Sequence, residues 1–423
     1  MRSHTADLDS NHNNRFTIAD PLSIGFCEDR LARITPAIRP FIEQNKIPGA
    51  LTLIAREGAL VHCQSHGYAD VDTKTPVTQD TVFRIFSMTK PVTAVTAMML
   101  YEEGLFSLDD PIAQYLPAFT DMRVMTPEGL VPAKTPITIR QCLTHSSGLT
   151  YSMMPDHPEV ARLYGEAQVN EVYRREDWSL EEHTLRLAKL PLIAQPGTAW
   201  RYSEGLSLVA RLIEVLTGQA FGVFLQERIF NPLGMIDTAY QTTESNAHRL
   251  ATLYEQSPDL EGFAETSQYG GDFTQPAKLQ AGGAGLVSTA PDYLCFAQML
   301  LNEGEFNGTR LLSPKTARLL MSDQFDDQLS EYLLEEARPL YKGVGHGFAG
   351  TVVTNNQLRG CLGSDGEYSW SGWASTNFWV DPKEQLVAMV LTQLIPQPDQ
   401  VLGLKERFRQ VVYQALTTSK ETI

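Results

Sequence analysis

Between Met88 and Glu103 the chain is apolar on nearly every face. Val92, Val95, Met98, Met99 and Leu100 are spread around a full helical turn, and the run stops at Gly104, a residue suited to a left-handed cap. A helix without a polar face cannot lie on a surface and has to be enclosed by other layers. The chain has 423 residues, 43% of them hydrophobic, enough for one large domain or two joined ones around such a core.

The strand signal sits at the two ends. Ala50 to Ala55 and Leu60 to His66 are apolar-rich runs split by Arg56-Glu57-Gly58, which reads as a hairpin. Thr351 to Val353, Thr376 to Val380 and Leu386 to Leu391 are rich in strand formers, with Asp381-Pro382-Lys383-Glu384 as the turn between the last two. The spacing Leu31, Ile34, Ile38, Phe41 predicts a helix over Glu28 to Gln44, and Val401 to Leu416 a closing amphipathic helix. The middle reads mostly helical: Thr138 to Gln141 and Ser179 to Glu182 are capping-box patterns, and Leu206 to Leu216 is amphipathic and stops at Gly218. The expected organisation is a flexible lead-in over residues 1–20, an α/β sheet domain from 21–110 and 340–423, and a mostly helical inserted region over 111–339. A ligand would occupy the cleft between the two parts.

Composition excludes several partners. The formal charge is −16, from 34 basic and 50 acidic side chains, and no basic cluster offsets it, so nucleic acid is not an expected partner. No apolar run approaches bilayer length, and the polar N-terminus has no signal-peptide pattern, so no membrane is expected and cytoplasmic residence is. Five scattered cysteines form no C-x-x-C pair and read as buried small hydrophobes. Walker A, H-E-x-x-H and dinucleotide patterns are missing, and no cofactor is expected. His62 and His66 flank Cys63 on one strand face but lack a third ligand, so no metal site is expected there. The sequence carries no signal for oligomeric state.

Chemistry is concentrated at Phe86-Ser87-Met88-Thr89-Lys90, an S-x-x-K at the start of the enclosed helix. Residues three apart share a helix face, so Ser87 and Lys90 can touch, and the helix N-terminus favours developing negative charge. Pro91 disfavours helical geometry at Lys90, which predicts a distorted first turn. Alone, S-x-x-K competes evenly with a capping serine beside a solvated lysine. Two downstream segments give it weight: Tyr202 at a predicted strand-to-helix junction, and Trp370-Ser371-Gly372-Trp373 on a strand where one glycine permits close backbone approach.

Taken together, these residues resemble the serine β-lactamases and penicillin-binding proteins, particularly class C β-lactamases and the family VIII carboxylesterases. The likeness runs from about Arg33 through Val390. It includes Val82-Phe83-Arg84-Ile85-Phe86, Leu105-Phe106-Ser107-Leu108-Asp109-Asp110-Pro111, Leu143-Thr144-His145-Ser146-Ser147-Gly148-Leu149, Pro232-Leu233-Gly234-Met235, Ala281-Gly282-Gly283-Ala284-Gly285-Leu286 and Phe378-Trp379-Val380-Asp381-Pro382.

The resemblance implies a β-lactamase/transpeptidase-like fold, an antiparallel sheet flanked by helices with a helical insertion. It implies Ser87 as acylated nucleophile, Lys90 as its partner, and Tyr202 as the tyrosine of a Y-x-N element. Trp370-Ser371-Gly372 then matches the K-T-G element, and the backbone N–H groups of Ser87 and Trp373 form the oxyanion hole. Either Tyr202, made acidic by a nearby ammonium, or neutral Lys90 is the base. The chain departs from β-lactamases at Glu204, where they carry asparagine, and at Trp370, where they carry lysine. A penicillin carboxylate would lose a cation and an amide donor, each charge-assisted bond worth roughly 1.5–3 kcal/mol.

Together with a W-x-G like that of family VIII esterases, these departures predict a carboxylesterase on short-chain or bulky esters, with poor turnover of nitrocefin. Trp370, Ser371, Gly372, Tyr151 and Glu204 are the expected substrate contacts. An amide or peptide hydrolase, a weak β-lactamase and an acyltransferase using a thioester donor are the alternatives within this class. A catalytically silent ligand-binding relative is the alternative outside it. His145 reads as part of a structural turn, and His346 as a weaker candidate for catalysis.

Overall fold

The computed structural model describes residues 15–153, 157–169, 178–259, 261–267, 269, 271–335, 337–396 and 403–420. Its centre is a nine-stranded sheet built from both ends of the chain. From one edge the strands run Thr17–Ile18, Ala59–Asp70, Gly49–Arg56, Leu386–Leu391, Asn377–Asp381, Tyr368–Ser371, Thr351–Val353 and Val344–His346, with Thr75–Pro76 hydrogen-bonded to Ala59–Asp70. All pairs are antiparallel except the first, and the two halves of the chain meet where Leu391 lies opposite Leu51 and Leu386 opposite Arg56.

Both faces of the sheet are covered, which is why its central strands read as unbroken apolar runs. Leu51, Leu53, Ala55, Val387, Met389 and Leu391 point into one core, shared with the central helix Thr89–Glu102. Ala50, Ile54, Leu386, Ala388 and Val390 point into the other, beneath the helices Ile34–Glu43 and Leu404–Tyr413. The helix Ala290–Leu301 lies within the middle stretch by sequence yet packs on the strands Asn377–Asp381 and Leu386–Leu391, with Tyr293 5.0 Å from Phe378. The rest of the middle is largely helical and surrounds the far side of Thr89–Glu102, where Gly205–Thr217 packs directly on it.

Three expectations need correcting. Of the lead-in, residues 1–14 lie outside the described residues, whereas 15–20 are part of the fold. There the Arg15 guanidinium bonds Asp292 at 2.7 Å, Phe16 is buried, and Thr17–Ile18 forms the edge strand. The helix expected over Glu28 to Gln44 is two, Glu28–Leu31 and Ile34–Glu43. Pro36 has no N–H with which to bond Ala32, so the first helix cannot run on. Thr89–Glu102 is preceded by a 3-10 turn, Phe86–Met88, and Ser87 stands on that turn rather than on the α-helix. Among the described residues, no single helix is long and apolar enough to cross a membrane.

Candidate active site

Ser87, Lys90 and Tyr202 meet. The Tyr202 hydroxyl donates to Ser87 Oγ at 2.5 Å, and Lys90 Nζ donates to the same oxygen at 3.2 Å. The ammonium of Lys90 also stands 4.5 Å from the centre of the Tyr202 ring. A hydroxyl, an amine and a phenol separated by 115 residues of chain can therefore exchange one proton.

Each member is held by a different element. The 3-10 turn that raises Ser87 begins at Phe86, whose φ of +43° is a left-handed conformation that side chains rarely adopt, so strain is stored beside the hydroxyl. Lys90 is fully buried in the first turn of the central helix, where Pro91 costs no hydrogen bond. Its second acceptor is the carbonyl of Gly283, at 2.8 Å, and Thr93 one turn on donates to the carbonyl of Gly282. A Cβ on Gly282 would lie 2.1 Å from the Leu206 carbonyl oxygen, so only glycine lets that segment pass. Burial drives the Lys90 ammonium down from 10.5 to about 7, while the Glu204 carboxylate pulls the other way.

Tyr202 leads into the helix Gly205–Thr217 and is clamped by the turn after the capped helix Ile139–Leu143. There the His145 carbonyl accepts from Arg201 N–H at 2.8 Å and its Nδ1 accepts from Ser203 N–H at 3.2 Å. The rings of His145 and Tyr151 lie 4.8 and 5.2 Å from that of Tyr202. Burial holds His145 well below the usual imidazole range, and pushes His346 down to about 4, so both are neutral at pH 7. His346 donates from Nδ1 to the Gly347 carbonyl at 2.6 Å. His145 positions the tyrosine from behind and does not touch Ser87 in any contact seen among the described residues.

The strand Tyr368–Ser371 forms the facing wall. A Cβ on Gly372 would meet the Ile85 carbonyl oxygen at 2.4 Å, which measures how closely this strand runs beside the segment bearing Ser87. Trp370 is half-buried among Tyr202, His145 and His346, and its buried Nε1–H has no partner among the described residues. Ser371 is half-buried opposite Asn377, and Trp373, in the turn beyond, meets Phe86 edge-on at 6.0 Å.

The remaining two expected substrate contacts lie elsewhere. Tyr151 is fully buried under Tyr202 and Lys90. Glu204 is fully buried too, accepting from the Ser207 hydroxyl at 2.7 Å and meeting His183 Nε2 at 3.3 Å. Neither exposes surface that a substrate could touch. Sequence reasoning missed the Gly283 carbonyl and His183. The glycines at 282, 283 and 285 are plain in the sequence, but nothing in them marks one carbonyl as an acceptor. His62 and His66 both meet Thr52 Oγ1, at 2.8 and 3.2 Å, and among the described residues no three His, Cys, Asp or Glu side chains are grouped to hold a metal.

The chain as a whole is similar to known proteins. The Beta-lactamase family model matches residues 34–408. An uncharacterized protein of Mycobacterium tuberculosis is 32% identical over 368 residues, covering 85% of this chain and 89% of that one. Esterase EstB of Burkholderia gladioli is 26% identical over 375 residues, with 85% and 90% covered. Among solved structures, EstCE1, a hydrolase with promiscuous acyltransferase activity, superposes with a TM-score of 0.76 at 27% identity, covering 91% of this chain and 99% of its own.

Proposed function

The chain belongs to the beta-lactamase family and is a serine hydrolase, and on that premise we propose that it cleaves carboxylic esters through an acyl-enzyme on Ser87. The observation that carries this reading is the convergence of two proton-handling groups on one hydroxyl oxygen, Tyr202 at 2.5 Å and Lys90 at 3.2 Å. Ser87 Oγ attacks the ester carbonyl and its proton passes to the Tyr202–Lys90 pair. The backbone N–H groups of Ser87 and Trp373 receive the negative charge on the carbonyl oxygen. The alcohol leaves with that proton. Water then attacks the acyl group, gives a proton to the same pair, and releases the carboxylic acid as Ser87 recovers its hydrogen. With Lys90 brought to about 7, the pair loses its first proton near neutral pH, whichever member gives it up.

Trp370, Ser371 and Gly372 form the wall that the substrate meets. Trp370 offers an indole where a penicillin-binding site offers a cation, which favours neutral short-chain or bulky esters over a β-lactam carboxylate. Tyr151 and Glu204 support the site from behind, as their burial requires. Transfer of the acyl group to an alcohol instead of water is the second reading. It is favoured by the likeness to EstCE1, a hydrolase with promiscuous acyltransferase activity, since an acyl group held on Ser87 can be attacked by an alcohol in place of water.

A panel of p-nitrophenyl esters, nitrocefin and a fluorophosphonate label tests the proposal. Short-chain esters should turn over, nitrocefin should turn over poorly, and Ser87→Ala should lose both turnover and labelling while keeping its thermal melt. Efficient nitrocefin cleavage without ester cleavage would overturn the substrate class, and a fully active Ser87→Ala would overturn the nucleophile.

A further inference from the structure

A fully buried carboxylate with no arginine or lysine bonded to it calls for an explanation, because burying a lone charge is costly. Glu204 is such a group. It stands at the N-cap of Gly205–Thr217, yet its side chain makes no capping hydrogen bond. Instead it turns inward. Oε2 takes the Ser207 hydroxyl and meets His183 Nε2 on the helix Leu180–Leu187, while Oε1 and His183 Nδ1 have no partner among the described residues. The helix carrying Glu204 packs against the central helix carrying Lys90. Lys90 is equally buried, and its hydrogen bonds go to a hydroxyl and a carbonyl, neither of them charged.

We propose that Glu204 is the internal counter-charge of Lys90: a positioning residue, held by Ser207 and His183, that sets how tightly the Tyr202–Lys90 pair keeps its proton. The inference rests on the acyl-enzyme reading of Ser87. The positive end of the Gly205–Thr217 helix favours the negative carboxylate at this place. The carboxylate in turn opposes the desolvation that pulls the proton off Lys90. Without it, the pair would be stripped of its proton at lower pH and would return one to the leaving alcohol less readily. Other titratable groups face the two residues. On the Lys90 side these are Tyr202, Tyr151 and His145, the last held neutral by burial. On the Glu204 side they are His183 and Tyr164.

The test is the pH dependence of fluorophosphonate labelling at Ser87, which reads the nucleophile and is indifferent to the natural ester. In the unaltered protein, labelling should rise with pH through an acid limb. Glu204→Gln should move that limb down by roughly one pH unit, so that labelling at pH 6, relative to its own plateau, rises about fivefold. Glu204→Asp should bring the limb back towards its original place. His183→Gln keeps a donor for Oε2 but cannot titrate, and should leave the limb where it is.

A limb unmoved in Glu204→Gln, with labelling lowered equally at every pH, would mean a structural carboxylate and would overturn the proposal. So would a limb that vanishes in His183→Gln, because His183 would then be the titrating group. Failure of Ser87 to label in the unaltered protein would instead bring down the hydrolase reading, and this inference with it.

Discussion

Replacing Tyr202 by phenylalanine removes one oxygen from the site and little else. The ring keeps its neighbours, His145 at 4.8 Å and Tyr151 at 5.2 Å, and still offers its face to Lys90 at 4.5 Å. The loss is the hydroxyl that meets Ser87 Oγ at 2.5 Å. One half-buried hydrogen bond contributes about 1 kcal/mol net to stability, a shift of no more than a few degrees in a chain of this size. The chemical cost is far larger. Removing a general base costs about 100- to 10,000-fold, or ~2.7–5.4 kcal/mol of activation free energy. Ester turnover in Tyr202→Phe should therefore fall by at least two orders of magnitude with the thermal melt nearly unchanged. Stopped-flow release of p-nitrophenol separates acylation from deacylation, and both steps should slow, since the same pair serves both. Turnover within threefold of the unaltered protein would refute the phenol's part in proton transfer. A melt lowered by more than 10 °C would mean that the hydroxyl supports the fold rather than the chemistry.

Gly372→Ala should slow acylation by tenfold or more at unchanged secondary structure. The new Cβ would press on the Ile85 carbonyl at 2.4 Å and displace backbone two residues before Ser87, and misplacement near 1 Å can cost about 100-fold. Single-turnover labelling measures it, and an unchanged rate would show that the strand can retreat freely. Glu367→Gln should destabilise the fold by about 3–5 kcal/mol in denaturant titration, because it strips the buried Arg409 of its buried carboxylate partner, leaving only the exposed Glu406 at 4.0 Å among the described residues, and weakens the Arg359 and Tyr413 contacts. Burial pushes the Glu367 carboxyl up, but Arg409 and Arg359 outweigh it and hold it below 4.5. Its native value is thus depressed. The stability it contributes is present above the ordinary glutamate range and is lost as pH falls through the lowered native value. A loss under 1 kcal/mol in Glu367→Gln would contradict this account.

What was legible in the sequence depended on side-chain type. The apolar run Leu386–Leu391, the enclosed helix and the hairpin at Arg56-Glu57-Gly58 are patterns of apolar residues, and they follow from burial alone. The meeting of Ser87, Lys90 and Tyr202 was legible because the proposed chemistry needs those residue types in that order. Where a group points was not. Glu204 occupies a position that invites contact with a substrate, yet Ser207 and His183, on two different helices, turn it inward. No local pattern encodes a choice between a cleft and an interior when both lie within one side chain's reach. The split of the expected helix at Ala32 came from Pro36, which the sequence displayed but the apolar spacing of Leu31, Ile34 and Ile38 masked.

Backbone geometry was the second illegible part, and it explains how the site can exist. An ammonium placed fully inside a core should be expelled or neutralised. At Lys90 the carbonyl of Gly283 and two phenol rings take the place of water, and the segment carrying that carbonyl fits only because Gly282 has no side chain to strike Leu206. The substitution for water is incomplete, so the amine sits near 7 instead of 10.5. That shortfall destabilises the fold at neutral pH and, by the same amount of free energy, makes a proton acceptor available beside Ser87. Stability and reactivity at this residue are therefore one quantity read with opposite signs, and a change that solvates Lys90 better should strengthen the fold while weakening the enzyme.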